Sequence, residues 1–334
     1  MCVPTRYTDG MSTATPKHRR LKHSLRLLLV LMLLACIGGG WFAVKMRQAK
    51  QQREAAAAIE TAGGMVSWTK PSGPLWLRSL LGKDFFRSVR QVFFMHVQVT
   101  DAALQPLKGL SQLQALGLRW TGVTDARLEQ LKGLSQLESL DLAGAPVTDD
   151  GLEHLKGLTR LYDLDLTGTQ VTDAGLEHLK DLSRLKYLDL TGTQVTDVGL
   201  EHLNGLTELR QLRLDRTQVT DAGLKHLEGL CQLLFISLSN SKITDAGLKH
   251  LKGLSQLQDM VLDSTQVTDA GLEQLKGLSR LHFLLLRNTH VTDAGLEHLK
   301  GLSQLHNLEL RGTNVTDKGV KELRKALPDC FINR

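Results

Sequence analysis

Six histidines recur along this chain at multiples of 24 residues, and a regular set of imidazoles is a candidate for metal binding. They are His154, His178, His202, His226, His250 and His298. Histidine-bound zinc needs nitrogens about 2 Å from one ion, so two ligand nitrogens lie roughly 3–4 Å apart. Histidines 24 residues apart could share a metal ion only if the fold places their side chains within this distance of one another.

Three aspartates repeat with the same spacing, Asp141, Asp165 and Asp189, and Asp163 adds a fourth acid beside them. Such a row of carboxylates is a candidate contact for a basic or cationic partner. Calcium would need six to eight oxygen ligands, more than one row supplies. The alternative is a solvated consensus position, because two such charges about 5 Å apart repel by only ~0.8 kcal/mol in water.

This aspartate column changes character further along the chain. It continues with Arg213, Ser237, Val261, Leu285 and Glu309, and the column two residues earlier reads Asp163, Tyr187, Gln211, Phe235, Asp259, Phe283 and Asn307. An exposed apolar cluster usually marks a binding site, and aromatic and arginine side chains are enriched at interface hot spots. The alternative is that a neighbouring loop covers the cluster.

We therefore predict a partner-binding surface at the residues that depart from the consensus. They are Arg213, Phe235, Val261, Phe283, Leu285 and Arg287. The aspartates Asp141, Asp165 and Asp189 would contact a basic part of the same partner and affect its association rate more than its affinity.

The element that positions all these residues is a repeat. The tripeptide Val/Ile-Thr-Asp begins at residues 99, 123, 147, 171, 195, 219, 243, 267, 291 and 315, without one insertion. Self-similarity at a fixed period of this length is typical of a solenoid. Residues 161–171, "LYDLDLTGTQV", alternate with period two and predict a short strand.

The second half of each unit predicts a helix. In residues 172–182, "TDAGLEHLKDL", Leu176, Leu179 and Leu182 recur every three residues, and Asp173 is a suitable N-cap. Parallel strands lie ~4.8 Å apart, whereas packed helices need ~8–10 Å. The stack should therefore curve, with strands on the concave side. The histidines would then lie on separate helices, too far apart for metal, and the aspartates on adjacent strands.

The pattern Leu-x-x-Leu-x-Leu-x-x-Thr resembles the leucine-rich repeat family over residues 89–332, and the Thr-Asp-x-Gly-Leu half resembles its cysteine-containing subclass. The resemblance implies an α/β horseshoe solenoid and a protein- or peptide-binding scaffold. The family's ladder position usually holds Asn or Cys; here it holds Thr121, Thr169, Thr193, Thr217, Ser241, Thr265, Thr289 and Thr313. We expect these hydroxyls to bond the backbone of a neighbouring turn.

The N-terminal leader has a different composition. Residues 1–60 hold ten Lys/Arg and three acids, so of the total charge of +6 the rest of the chain carries −1. A basic stripe for nucleic acid is therefore absent from the repeats. Residues 27–44 are uncharged and, as a helix, just long enough to span a bilayer. The flanking basic residues favour a cytoplasmic N-terminus. A cleaved signal peptide, or a lipoprotein signal ending at Cys36, are the alternatives.

We predict five segments: a basic cytoplasmic segment 1–26, a transmembrane anchor 27–44, a juxtamembrane helix 45–64, an N-terminal cap 65–88 and the repeat domain 89–334 with its own C-terminal cap. This arrangement also resembles bacterial membrane-anchored leucine-rich repeat proteins, which implies an extracytoplasmic interaction role. The cysteines Cys2, Cys36, Cys231 and Cys330 form no metal-binding motif, and we expect free or buried thiols.

Catalytic motifs are absent from the sequence: it contains no G-x-S-x-G, no H-E-x-x-H and no glycine-rich phosphate loop. We expect no enzyme activity, no cofactor and no metal. The favoured function is partner binding on the concave face. A passive structural or envelope element is the alternative, and a substrate receptor of the ubiquitin-ligase type is a weaker third hypothesis.

The predicted topology can be tested with a reporter fused after Arg334 that is active only in the cytoplasm. An anchor at residues 27–44 with a cytoplasmic N-terminus places the fusion outside, so the reporter should be inactive. An active reporter would contradict this topology. Lipid labelling that disappears in Cys36→Ala would instead favour the lipoprotein alternative.

Overall fold

The computed structural model describes residues 17–94 and 96–334, with side chains from residue 39 onward. The chain forms two compact units, Met1–Gln51 and Gln52–Arg334. Helix α1 spans Lys17–Thr61. No helix in the described part of the chain is both long and apolar enough to cross a bilayer. Most of the predicted anchor, residues 27–38, lies outside the described side chains, as do Cys2 and Cys36, so the anchor stays a prediction.

A single sheet of twelve strands runs through the described residues of the second unit, in the order of the sequence. The strands are β1 (Met65–Trp68), β2 (Val89–Phe93), β3 (Ala115–Gly117), β4 (Ser139–Asp141), β5 (Asp163–Asp165), β6 (Tyr187–Asp189), β7 (Gln211–Arg213), β8 (Phe235–Ser237), β9 (Asp259–Val261), β10 (Phe283–Leu285), β11 (Asn307–Glu309) and β12 (Phe331–Asn333). Strand β1 pairs antiparallel with β2, and the later pairs are parallel with each residue opposite the one 24 positions on.

Short helices return the chain from one strand to the next. The further α-helices are α2 (Leu75–Leu81), α3 (Asp101–Leu104), α4 (Asp125–Leu128), α5 (Asp149–Glu153), α6 (Asp173–Leu176), α7 (Asp221–Leu224), α8 (Asp245–Leu248), α9 (Asp269–Gln274), α10 (Asp293–Leu296) and α11 (Asp317–Ala326). The 3-10 turns are Lys83–Phe86, Gln105–Gly109, Glu129–Leu131, Glu177–Leu179, Gly199–Leu203, Lys225–Leu227, Lys249–Leu251, Leu275–Gly277 and Glu297–Leu299. The predicted continuous helix thus gives way to 3-10 structure, which suits leucines spaced by three.

The core is a column of leucines between the sheet and the helices. Leu188 and Leu190 are 2% and 0% exposed, which confirms the phase predicted for the strand half. On the helical half, Leu176, Leu179 and Leu182 are fully buried. Burial of one leucine side chain contributes about 1.5–3 kcal/mol. Because every repeat adds the same set, the core is continuous along the stack.

Consecutive repeats are joined by a clamp between an aspartate and a threonine. The carboxylate of Asp173 accepts hydrogen bonds from the backbone amide and the hydroxyl of Thr196, at 2.7 and 2.6 Å. The same clamp joins Asp125 to Thr148, Asp149 to Thr172, Asp197 to Thr220, Asp221 to Thr244, Asp245 to Thr268, Asp269 to Thr292 and Asp293 to Thr316. The predicted N-cap role of Asp173 was wrong: Thr172 is the N-cap residue.

The clamp explains why glycine follows the aspartate two positions later. A Cβ added to Gly175 would lie 2.4 Å from Oδ1 of Asp149 in the preceding repeat, so a side chain there would displace the carboxylate. One early repeat lacks this glycine and has Arg127 at the equivalent position. There the Arg127 guanidinium donates a hydrogen bond to the Asp101 carboxylate at 2.7 Å. No clamp joins Asp101 to Thr124 among the described contacts.

The threonines at the ladder position stay within their own repeat. The hydroxyl of Thr169 donates to the carbonyl oxygen of Leu166 at 2.7 Å, and Thr193 bonds Leu190 in the same way. The predicted bond to a neighbouring turn was wrong, because the short hydroxyl reaches the carbonyl three residues back first. The threonines thus satisfy a buried carbonyl, whereas the aspartate clamp connects the repeats.

Both ends of the stack are closed. Strand β1 covers the edge of β2, and Ala55, Ala56 and Ile59 at the end of α1 are buried in the core beside it. Thus the predicted juxtamembrane segment contributes to the N-terminal cap. Helix α2 buries no residue and leaves Trp76 68% exposed. At the other end, α11 packs on the last repeat and β12 pairs with β11.

We expect each clamp to contribute measurably to the free energy of unfolding. Asp149 and Asp150 are adjacent, but Asp149 holds Thr172 whereas Asp150 is exposed and has no side-chain partner in the described residues. Asp149→Asn removes the charge and the acceptor for the hydroxyl, so the free energy of unfolding should fall by about 1–2 kcal/mol in chemical denaturation. The control Asp150→Asn should change it little. Equal effects of the two substitutions would contradict the clamp.

Acid should weaken the clamp between Asp293 and Thr316. The hydroxyl and amide of Thr316 lower the pKa of Asp293 below its ordinary value. Since the folded pKa lies below the unfolded pKa, this contribution is present at neutral pH and is lost as the pH falls through the folded pKa.

Candidate functional site on the concave face

The first and third residues of the three-residue strands β4 to β11 lie on the side of the sheet away from the core. In β8, for example, Ile236 is fully buried in the core, whereas Phe235 is half-buried on the other side of the sheet. We call this side, opposite the helices, the concave face. A third column joins it two residues after each strand, and contains Arg119, Asp215 and Arg287.

A hollow of about 620 Å³ lies on this face over strands β7 to β10. Its lining includes five of the predicted site residues, which are Arg213, Phe235, Val261, Phe283 and Leu285. The structure therefore brings these five together in one place. Ligand pockets typically have volumes of roughly 300–1,000 Å³, so the hollow has room for a few side chains of a partner.

The floor of the hollow is apolar and open. Phe283 is 44% exposed, and Phe235, Val261 and Leu285 are half-buried. The register pairs Leu285 with Val261, so the two aliphatic side chains are neighbours on adjacent strands. The exposed phenyl ring of Phe283 shows that no described loop covers the cluster.

The rim of the hollow on the β7 side is basic. The Arg213 guanidinium lies 4.6 Å from the ring centre of Phe235, and its Nε is 3.7 Å from Oδ2 of Asp189. Asp215 is already satisfied, since it accepts hydrogen bonds from the Ser237 hydroxyl at 2.5 Å and the Ser239 amide at 2.7 Å. The stacked Arg213 and Phe235 form a preorganised pair beside the apolar floor.

The predicted acidic row is present but internally paired. Arg119 donates to Oδ2 of Asp141 at 2.9 Å and to Oδ2 of Asp165 at 2.5 Å. The hydrogen bond that Arg119 donates to Asp141 raises the pKa of Arg119, burial opposes the rise, and the charges of Asp141, Asp165 and Asp189 add to it. Asp189 has Arg213 nearby. The row's role in partner binding remains a prediction.

Asp163 stands beside this row in the first strand column. Burial raises the pKa of its carboxyl, the hydroxyl of Ser139 lowers it through a hydrogen bond at 2.9 Å, and the charges of Asp165 and Asp141 raise it further.

Arg287 lies outside the lining of the hollow. Its Nε is 3.2 Å from Oε2 of Glu309 and 4.0 Å from Oδ2 of Asp263. Burial opposes ionisation of Glu309, but hydrogen bonds from Asn333, Arg311 and Arg287 lower its pKa overall. This network belongs to the C-terminal end of the concave face, and the role of Arg287 in partner binding stays a prediction.

The turn after each strand contains one residue in the left-handed region. Four repeats place glycine there, at Gly144, Gly168, Gly192 and Gly312. The repeats over the hollow instead place Arg216, Asn240, Ser264 and Asn288 there, with φ of 54–56°. For a residue with a Cβ this conformation costs about 1–2 kcal/mol, and asparagine tolerates it best. His96 and Trp120, which lie outside the hollow, adopt the same conformation, so this cost is not confined to the repeats over the hollow.

The remaining candidates do not assemble into a site. His154 and His178 are half-buried on successive repeats, and His250 bonds Glu228 at 2.6 Å. Within the described residues, no group of three or more His, Cys, Asp or Glu side chains could hold a metal ion. Cys231 is an exposed free thiol, and burial raises the pKa of Cys330 to about 11.

Sequence reasoning missed three features of this face. Arg119 was overlooked because only the two columns inside the strand were considered, although "LRW" departs visibly from the "LTG" of other repeats. The residues of the left-handed column also depart from "LTG", because they replace its glycine. Asp259 was noted in its column but was not assigned to the site, although it lines the hollow.

Comparison with known proteins agrees with this architecture. Leucine rich repeat family models match residues 159–219 and 134–156. The fold is similar to that of an internalin, InlF, from Listeria monocytogenes, with a TM-score of 0.55, 21% identity and coverage of 77% of this chain and 86% of that chain. Together with the repeat and the sheet, these matches show that the chain is a leucine-rich repeat protein.

Two other solved structures are similar. The chain in the mouse RP105/MD-1 complex has a TM-score of 0.54 and 24% identity, with 66% of this chain and 38% of that chain covered. Internalin C2 of Listeria monocytogenes is 31% identical over 65% of this chain and 84% of that chain, with a TM-score of 0.49. No curated protein sequence gives a significant match.

The left-handed column predicts opposite effects at two equivalent positions. Arg216→Gly relieves the strained backbone, so the free energy of unfolding should rise by about 0.5–1 kcal/mol after the entropy cost of glycine is subtracted. Gly192→Ala is the matched reverse change, because an added Cβ meets no atom closer than 3.9 Å and only the backbone is strained. It should lower the free energy by about 1 kcal/mol. Denaturation curves in which Arg216→Gly is destabilised would contradict this interpretation.

Proposed function

We propose that this protein binds a protein or peptide partner through the hollow on its concave face. The observation that carries the proposal is the open apolar floor of Phe283, Leu285 and Val261, flanked by the stacked Arg213 and Phe235. Contiguous exposed apolar surface of this kind is rare on soluble domains that bind nothing. Arginine and aromatic side chains are the types that contribute most to interface affinity.

The scaffold around the hollow supports this function. The strands are held in register by their ladder and by the clamps, so the lining side chains stand on rigid elements and lose little freedom when a partner binds.

Leucine-rich repeat proteins commonly bind other proteins, and the similar mouse chain was solved in the RP105/MD-1 complex. We also propose that the protein has no enzyme activity, and that a helix at residues 27–44 anchors it with the repeats outside the cytoplasm. The anchor proposal rests on the hydropathy and flanking charges of the leader.

The double substitution Phe283→Ala/Leu285→Ala tests the binding surface. It removes most of the apolar floor, so the Kd for a captured partner should rise by the equivalent of more than about 2 kcal/mol in a titration. The melting temperature should stay near that of the wild type, because both side chains are partly solvent-exposed.

The matched controls are Lys180→Ala and Glu201→Ala on the helical side of the repeats. Both side chains are exposed and remote from the concave columns, so binding should be unchanged. If the floor substitutions leave binding intact while a helical-side substitution abolishes it, the proposed surface is wrong. If no partner can be captured at all, a passive structural role gains support.

A further inference from the structure

Asp259 occupies an unusual position in the hollow. It is the first residue of β9, and the register places it directly between Phe235 of β8 and Phe283 of β10. Parallel strands lie about 4.8 Å apart, so the carboxylate stands between two phenyl-bearing positions on the same face. The next residue, Met260, is buried in the core. Because successive strand residues point to opposite faces, Asp259 projects from the concave face.

The Asp259 carboxylate has no hydrogen bond or ion pair in the described part of the chain. Every other acid in the described concave columns has one. Asp141 and Asp165 bond Arg119, Asp163 accepts from Ser139, Asp189 accepts from the Thr191 amide, Asp215 bonds Ser237, Asp263 accepts from the Arg287 amide, and Glu309 bonds Arg311. Asp259 is therefore the acid on this face that is available to a partner.

This unpaired carboxylate is unfavourable in the free protein. Burial raises the pKa of Asp259, and the nearby charge of His282 opposes the rise. A partly desolvated charge without a partner costs free energy, and a bound cation would offset that cost.

The flanking rings are also suited to a cation. The guanidinium of Arg213 over Phe235 shows that a ring in this hollow accepts a cation at stacking distance. The ring of Phe283 is 44% exposed and has no cation of its own in the described contacts. On the β7 side the acids already have partners, since Asp189 lies beside Arg213 and Asp215 accepts from Ser237, so Asp259 is the acid of the hollow left for a second cation.

We infer that the hollow selects a partner segment carrying an arginine or lysine side chain, whose cationic head pairs with Asp259 and lies against the ring of Phe283. This inference rests on the proposed binding function and specifies its partner. The aliphatic stem of the same side chain would cover Val261 and Leu285, as long basic side chains do on apolar surfaces. One carboxylate provides too few oxygens for a calcium ion, so a side chain suits the site better than a metal.

Selection from a displayed library of random ten-residue peptides tests the inference with the immobilised full-length chain. On the wild type, sequencing of the bound pool should show Arg and Lys enriched severalfold over the input at one position, next to apolar residues. Asp259→Asn keeps the shape but removes the charge, so the basic enrichment should disappear while the apolar enrichment remains. A selected peptide should bind Asp259→Asn about tenfold more weakly.

Asp163→Asn is the matched control. Asp163 occupies the same strand column on β5, and burial raises its pKa as well, but it lies outside the hollow. This variant should retain the basic enrichment. The melting temperature of Asp259→Asn should not fall, because the lost charge has no partner in the described structure.

The outcomes separate this inference from the function on which it rests. Peptides that need Phe283 and Leu285 but show no basic preference, or a basic preference that survives Asp259→Asn, would overturn the inference and leave the binding surface intact. Enriched peptides that bind Phe283→Ala/Leu285→Ala as well as the wild type would overturn the proposed surface itself. If the wild type enriches no peptide over a blank support, both proposals fail.

Discussion

The bond that links each aspartate to the threonine of the next repeat is the constraint on which the rest of this structure depends. One carboxylate satisfies an amide and a hydroxyl at the start of the following helix, with a geometry that hardly varies from Asp125 to Asp293. The clamp needs a threonine and an aspartate in every unit, and a glycine where the carboxylate of the preceding unit approaches. The threonine and the aspartate are present in all ten units, and the glycine is replaced only in the first two, by Ala103 and Arg127. A single inserted residue would break the contact on both sides, which accounts for the constant period of 24.

A scaffold specified in this way leaves the strand face free to vary. The leucines of the strand point into the core, whereas their neighbours at the first and third positions meet solvent and carry no packing requirement. Over β4 to β6 these positions hold acids, two of which, Asp141 and Asp165, pair with Arg119 within the chain. Over β7 to β10 they hold Phe235, Val261, Phe283 and Leu285, and the turns nearby accept residues that strain the backbone. The exposed apolar surface of the hollow is unfavourable in the free protein, and a bound partner would offset that cost.

Much of this architecture was predictable because periodicity reports burial directly. The strand phase, the buried Leu188 and Leu190, the parallel order and the grouping of Phe235, Val261 and Phe283 all follow from residue types 24 apart. The hydrogen bonds between side chains could not be predicted from this periodicity. Asp173 has the composition of an N-cap, and only the three-dimensional stack shows that the next repeat offers its carboxylate two better donors. The pairing of Arg119 with Asp165, 46 positions later, depends on rotamers that a periodic pattern does not specify.

We propose that the repeats are a uniform scaffold whose recognition surface lies on one part of one face. Photocrosslinking in the cells that produce the protein tests this proposal, with a photoreactive residue introduced at Val261 in one strain and at Lys180 in another. We expect a discrete adduct from Val261, in the hollow, and none above background from Lys180, on the helical side. Adducts from Lys180 alone, or the same diffuse adducts from both positions, would contradict it.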